Sequence, residues 1–262
     1  MCRHIAYLGP LVPLGRLLSE PEYSLVRQAW APRRQRQGTV NADGFGVGWY
    51  AEGDPVPARY RRSGPVWGDA TFGDLARVVR SGALLAAVRD ATRADADGEA
   101  AAAPFSAGPW LFSHNGSVRD WPDAAAGPAA SLPPLELLQL AARSDSALVW
   151  ALVLNRLRAG ADLGAALAGP VRELAAASPG SRLNLLLTDG RAIAATAWGD
   201  SLWYLADPRA GRTVVASEPY DDDPRWCEVP EKTLLTASRT QVELTPLKTT
   251  PANEKKEYQT SE

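Results

Sequence analysis

The second residue is a cysteine, preceded only by Met1. Initiator methionine is normally removed ahead of a small residue, and removal would leave Cys2 with both a thiol and a free α-amine of pKa about 7.7–8.0. The amine can take the thiol proton, directly or through water, and later give it to a leaving amine. This arrangement needs no histidine, and the chain has only two, His4 and His114. The competing reading of Cys2 is a small residue buried by chance. A second feature is Asn115-Gly116, which closes the stretch WLFSHN. Read as a turn after a strand over 110–113, it exposes a side-chain amide beside a backbone N–H. Two such donors can hold the oxyanion of a tetrahedral intermediate, and losing one typically costs about 3–4 kcal/mol. The same dipeptide is also an ordinary hairpin turn.

Two charged residues complete the set. Arg89 ends the apolar stretch ALLAAVR and is followed by Asp90, Ala91 and Thr92. A guanidinium at a strand end can grip a carboxylate bidentately, and the Thr92 hydroxyl can add a bond. Ser144-Asp145-Ser146 precedes a helical pattern. Both Ser144 and Asp145 suit a helix N-cap, and a carboxylate in the first turn stays ionised and can bind an ammonium. A solvated arginine and a simple cap are the bland alternatives. His114 reads as structural or as part of a pocket wall. Trp49 is an aromatic candidate for the pocket and, with Tyr50, for cation–π contact with a substituted ammonium. The glycines of DGFGVGWY are spaced GxGxG and lead into a strand, so they do not make a dinucleotide loop. They are read instead as sites of close backbone approach.

These residues need a rigid frame, and the composition supplies one. The chain has 262 residues, 45% hydrophobic and 22% charged, with a formal net charge of −2. That balance suits a single globular domain with a sizeable core and disfavours nonspecific nucleic-acid binding or attachment to an anionic membrane. No apolar run reaches the roughly 18 residues that a membrane span needs. Two distant cysteines, Cys2 and Cys227, imply no disulfide framework and fit a reducing cytoplasm. Two Cys and two His without close spacing argue against zinc.

Strands are expected at 2–8, 45–51, 58–62, 83–89, 110–113, 181–188, 191–198, 201–206, 213–217 and 232–246. Helices are expected at 24–30, 72–82, 134–142, 145–159 and 162–177. Asp189-Gly190 reads as a hairpin turn, 93–108 as a mobile surface loop and 249–262 as a disordered polar tail. Strands, helices, then strands again favour antiparallel sheets with helices on their outer faces over a doubly wound parallel sheet.

Taken in order, the N-terminal Cys2, then Arg89-Asp90-Ala91-Thr92, His114-Asn115-Gly116 and Ser144-Asp145-Ser146 resemble the glutaminase domain of the class II glutamine amidotransferases over about residues 2–246. The opening MCRHIAYLG, with NADGFGVGWY and LFSHNGSV, more specifically resembles the amidohydrolase branch that serves ergothioneine biosynthesis. The resemblance implies an N-terminal-nucleophile hydrolase: an α+β, four-layer αββα sandwich of two antiparallel sheets, occupying 2–248 as one domain. It also implies roles. Cys2 is the nucleophile and its α-amine the base, and Asn115 and Gly116 form the oxyanion hole. Arg89 and Thr92 hold the α-carboxylate of a γ-glutamyl group, and Asp145 its α-ammonium. The expected reaction is hydrolysis of a small γ-glutamyl amide, γ-glutamyl hercynylcysteine sulfoxide, through a thioester, with no cofactor or metal. Two alternatives stand beside it: a glutaminase subunit feeding ammonia to a separate synthase, and a non-catalytic binding module on the same fold. After about residue 246 only the polar tail remains, so the chain is expected to act alone or with a partner chain.

Overall fold

The computed structural model describes residues 2–38, 40–91 and 98–248. The expectations for Thr92, for 93–97 of the surface loop and for the polar tail 249–262 lie outside the described residues. The strands of the first half are β1 (Cys2–Pro13), β2 (Gly44–Trp49), β3 (Ala58–Arg62), β4 (Arg80–Arg89), β5 (Phe105–Ala107) and β6 (Trp110–Ser117). Those of the second half are β7 (Arg182–Thr188), β8 (Ile193–Ala197), β9 (Trp203–Asp207), β10 (Arg212–Ala216), β11 (Cys227–Glu228), β12 (Thr233–Ala237) and β13 (Val242–Pro246). The helices are α1 (Gly15–Leu18), α2 (Leu25–Gln28), α3 (Ala70–Val78), α4 (Ala126–Ala129), α5 (Pro134–Leu138), α6 (Asp145–Arg158) and α7 (Leu163–Ala177).

The strands form a 7-stranded sheet, order β11-β9-β10-β1-β4-β2-β3, and a 6-stranded sheet, order β13-β12-β8-β7-β6-β5. Every pairing is antiparallel. Period-two alternation along β1 explains the layering. Ala6 and Leu8 face the second sheet, in a cluster with Leu85, Leu111, Leu186 and Ala195. Ile5 and Tyr7 face outward, against Leu17, Leu25 and Phe72 of α1–α3. A third cluster joins α6 and α7 to the outer face of the second sheet through Phe112, Leu152, Leu167, Leu185 and Leu187. The result is the four-layer αββα sandwich. Removing each of these leucines from water stabilises the fold by about 1.5–3 kcal/mol. Alanines between the sheets (Ala6, Ala83, Ala195) keep the layers close.

Several details differ from the sequence reading. The strand into Asn115-Gly116 does not turn there. It runs on to Ser117, with Asn115 opposite Asn184, Gly116 opposite Leu183 and Ser117 opposite Arg182. Residues 98–108 are ordered, as a 3-10 turn over Gly98–Ala101 followed by β5 on β6. Arg61 donates to the Ala102 carbonyl at 3.0 Å and Arg59 to that of Pro104 at 3.2 Å, while Ala102 and Phe105 are buried. The third helix stops at Val78 and Gly82 lies inside β4. The stretch 232–246 is a hairpin of β12 and β13. Asp189-Gly190 does lie between the paired strands β7 and β8, with Gly190 at φ 82°. No helix of the described residues is long and apolar enough to cross a membrane.

Candidate active site

Sheet register brings the first residues of the chain to one end of the sandwich. Cys2 pairs with Arg89 on β4, and Gly44 of β2 pairs with the same Arg89 from the other side. Cys2 is therefore fixed in the middle of a sheet. Across the sandwich, the Cys2 backbone nitrogen donates to Asn115 Oδ1 at 3.1 Å. This is the atom that removal of Met1 turns into an α-amine. The other end of the same amide, Asn115 Nδ2, is buried and has no partner among the described residues. A buried N–H without an acceptor costs about 1–3 kcal/mol, so this donor is free to receive an oxygen.

Gly116 extends the donor pair. Leu183, opposite it, sends its N–H to the Trp198 carbonyl, and its own carbonyl accepts from Thr196 Oγ1. Both groups therefore point toward β8, and Gly116–Leu183 is a non-hydrogen-bonded pair. The Gly116 N–H accordingly points away from β7. A β-carbon here would lie 2.0 Å from the Arg182 carbonyl oxygen, at φ 154°, so only glycine fits.

Asp145 sits in the first turn of α6, just after the true N-cap, Ser144, whose hydroxyl accepts from the Ala147 N–H. Its carboxylate is fixed by the Val118 N–H on Oδ2 at 2.8 Å and the Ser146 N–H on Oδ1 at 2.7 Å. Arg89 donates to the Asp43 carbonyl at 3.3 Å. Burial pushes the Cys2 thiol up. The positive chain terminus, Arg89 and a hydrogen bond from the Asp90 backbone N–H pull it back, and Asp145 pushes it up further. Cys2, Arg89, Asp90, Asn115 and Asp145 thus share one locale.

The histidines stand aside. His114 is 2% exposed. Its Nε2 lies 2.9 Å from the Arg182 carbonyl, which can only accept, so this nitrogen carries the hydrogen. In the neutral ring, Nδ1 then receives the Ser146 hydroxyl at 3.0 Å. His114 therefore braces β6 against α6 and β7. His4 contacts Ser113 Oγ at 3.2 Å. Burial, helped by Arg3 and His114, lowers its pKa to about 3. Trp49 is set apart from this end of the sheet. It pairs with Leu84 and Ala58, at the other end of β2 from Gly44, about 16 Å along the strand, and packs on the outer cluster. Tyr50 is at the same remote end, its hydroxyl bonded to the Pro109 carbonyl at 2.6 Å. Strand alternation and register, which a local aromatic count ignores, place both there.

The family profile described as class II glutamine amidotransferases matches residues 20–210. The chain belongs to the class II glutamine amidotransferases. Among relatives of this amidotransferase is a gamma-glutamyl-hercynylcysteine sulfoxide hydrolase from Mycolicibacterium smegmatis. It is 41% identical over 247 residues, covering 94% of this chain and 100% of the relative. A protein of the same description from Mycobacterium tuberculosis is 40% identical, over 94% of this chain and 97% of the relative. A solved class II domain protein from Silicibacter pomeroyi superposes with a TM-score of 0.65 at 24% identity, over 94% of this chain and all of that one.

The sequence reading of this amidotransferase passed over several residues that shape the site. Asp43 holds the segment after β4, accepting from the Ala91 N–H at 2.7 Å. Arg182 reaches Ser117 Oγ at 2.9 Å and lies 3.7 Å from the buried Asp200. Asn184 ties the 198–201 loop to β7 through its whole amide. Of these only Asp43, inside the quoted NADGFGVGWY, had a visible signal. The glycines of that stretch do allow close approach: a β-carbon on Gly46 would meet the Ala103 carbonyl at 2.4 Å, and one on Gly48 the Leu111 side chain at 2.6 Å.

Proposed function

We propose that this chain hydrolyses the γ-glutamyl amide bond of γ-glutamyl hercynylcysteine sulfoxide, with Cys2 as nucleophile. The observation that carries the chemistry is the Asn115 amide: its oxygen lies 3.1 Å from the Cys2 nitrogen and its buried NH2 has no partner. The substrate follows from relatives that match this chain over nearly their whole length.

In this reading the freed α-amine of Cys2 takes the thiol proton and the thiolate attacks the γ-carbonyl carbon. The oxyanion receives Asn115 Nδ2–H and Gly116 N–H. The tetrahedral intermediate collapses, the Cys2 ammonium protonates the departing nitrogen, and the C–N bond breaks to leave a γ-glutamyl thioester. Water then attacks the thioester with the amine as base, releasing glutamate and regenerating the thiol. Arg89 holds the substrate α-carboxylate and Asp145 its α-ammonium, and the two head-group charges favour a γ-linked over an α-linked glutamyl unit. Thr92 is assigned to the carboxylate alongside Arg89. Neither histidine takes part: His114 spends both ring nitrogens on β7 and α6, and His4 is neutral at ordinary pH.

Product analysis with a panel of γ-glutamyl amides, glutamine included, tests the proposal. The expected result is release of glutamate from the bulky conjugate in preference to glutamine, by the chain alone. Turnover of glutamine only, rising when a synthase partner is added, would replace the hydrolase by an ammonia-supplying subunit. No turnover by a chain whose mass shows Met1 removed would leave a binding module.

A further inference from the structure

Resting on the Cys2 reading above, we propose that Asp43 is a positioning residue whose bonds to the Arg89–Ala91 segment aim the Asp90 N–H at the Cys2 sulfur and the Arg89 guanidinium at the substrate site. Three contacts carry this. The Asp43 N–H donates to the Arg89 carbonyl at 2.9 Å. Arg89 Nη1 donates to the Asp43 carbonyl at 3.3 Å. The Ala91 N–H donates to Asp43 Oδ2 at 2.7 Å.

The physical reason lies in how the ladder ends. The β2–β4 pairing closes at Gly44–Arg89, and beyond it the chain after Arg89 leaves the sheet. A strand end would ordinarily fray there. Asp43 continues the ladder by one backbone bond and then supplies a carboxylate where the next backbone acceptor would be. A charge-assisted bond of this kind is about twice as strong as a neutral one. The peptide held between the two bonds is that of Asp90, which follows the Arg89 paired with Cys2, and its N–H is among the groups that draw the Cys2 thiol down. Its side chain is seated by the preceding loop: a β-carbon on Gly38, at φ 69°, would lie 2.2 Å from Asp90 Oδ2. Asp43 itself is exposed and, among the described residues, its carboxylate has one hydrogen bond, so no packing role competes with this one. The other charges facing the Cys2 sulfur are the chain terminus, Arg89 and Asp145. None of them is removed by changing Asp43, although Arg89 loses its alignment.

The test compares Asp43→Ala with Asp43→Asn, which keeps an amide oxygen for the Ala91 N–H. The first readout needs no substrate: the rate of Cys2 carbamidomethylation by iodoacetamide, resolved from exposed Cys227 by peptide mass. Asp43→Ala should slow Cys2 about tenfold, the effect of a lost hydrogen bond to a charged sulfur, and leave the Cys227 rate unchanged as a check on folding. Asp43→Asn should stay within about threefold of the native rate. The second readout is KM against kcat on the γ-glutamyl substrate. Asp43→Ala should raise KM about tenfold or more through Arg89, and Asp43→Asn should restore it. Native Cys2 rates in Asp43→Ala, or an Asp43→Asn variant as slow as Asp43→Ala, would overturn the assignment. A native chain that hydrolyses nothing defeats the functional reading instead, and the alkylation arm still decides the role of Asp43.

Discussion

Asn115 and Asn184 stand opposite each other in one ladder, yet their amides lead opposite lives, and replacing each by alanine separates function from stability. Asn184 is saturated. Its NH2 donates to the Asp200 and Ser201 carbonyls at 2.9 and 3.2 Å, and its oxygen accepts from the Trp198 and Asp200 N–H groups at 2.8 and 3.2 Å. Asn184→Ala strands those buried groups at about 1–3 kcal/mol for each unsatisfied donor, so a loss of about 2–6 kcal/mol is expected. Asn115 makes one bond and leaves one NH2 unpaired. Asn115→Ala gives up about 1 kcal/mol for the accepted bond and relieves a desolvation cost of about 1–3 kcal/mol. Its melting temperature should therefore stay level or rise slightly, since about 1 kcal/mol moves a protein of this size by about 2–4 °C. Its kcat should fall by about 10²–10³, the usual effect of removing one oxyanion donor. Thermal melts and single-turnover glutamate release from both variants check this. A kcat for Asn115→Ala within threefold of native, or a melting point lowered as far as that of Asn184→Ala, would refute the assignment of Nδ2 to the oxyanion.

Cys2→Ala should abolish γ-glutamyl hydrolysis with no change in melting temperature, and mass spectrometry after substrate addition should find no acyl adduct. Arg89→Lys replaces a fork by a point charge and should raise KM about tenfold with a smaller change in kcat, measured by steady-state kinetics. Gly116→Ala forces a β-carbon against the Arg182 carbonyl and should cost about 2–4 kcal/mol, read from denaturant titration. His4, with its pKa lowered to about 3, takes up a proton on unfolding anywhere between that value and the unfolded pKa of about 6.5. The stability it contributes is full above about 6.5 and is lost as pH falls toward 3, at about 1.4 kcal/mol per unit. A His4→Gln variant should show a shallower acid slope in melts between pH 6.5 and 4.

What could be read from residues alone was whatever is local or ordered along the chain. β1 was expected from residue 2 because CRHIAYL is β-prone, and Asp145 lies in a helix first turn because Ser144 is a good cap. The layered architecture followed from strand and helix order. Pairing partners were not legible. That Arg89 faces Cys2 and that Asn115 lies opposite Asn184 depend on register, which is fixed by contacts distant in sequence. The Asn-Gly pair shows the difference. Locally it favours a turn, but seven successive pairs with β7, from Leu111–Thr188 to Ser117–Arg182, keep it extended. Trp49 was drawn to the pocket by its chemistry and kept from it by its position at the far end of β2. Arg59 and Arg61, which order the 98–104 segment, gave no signal because an arginine bound to a distant carbonyl looks like any solvated one.

The pinned terminus bears on how the protein must be made. Only a nitrogen with a lone pair can accept a proton, and an acylated nitrogen has delocalised that pair into its peptide plane. On the proposed mechanism, any fusion ahead of residue 2, an affinity tag as much as an uncleaved leader, should silence the chemistry. The same tag placed after residue 248 would leave it running. On the proposed mechanism, trimming of the residue ahead of Cys2 is therefore the step that arms the molecule.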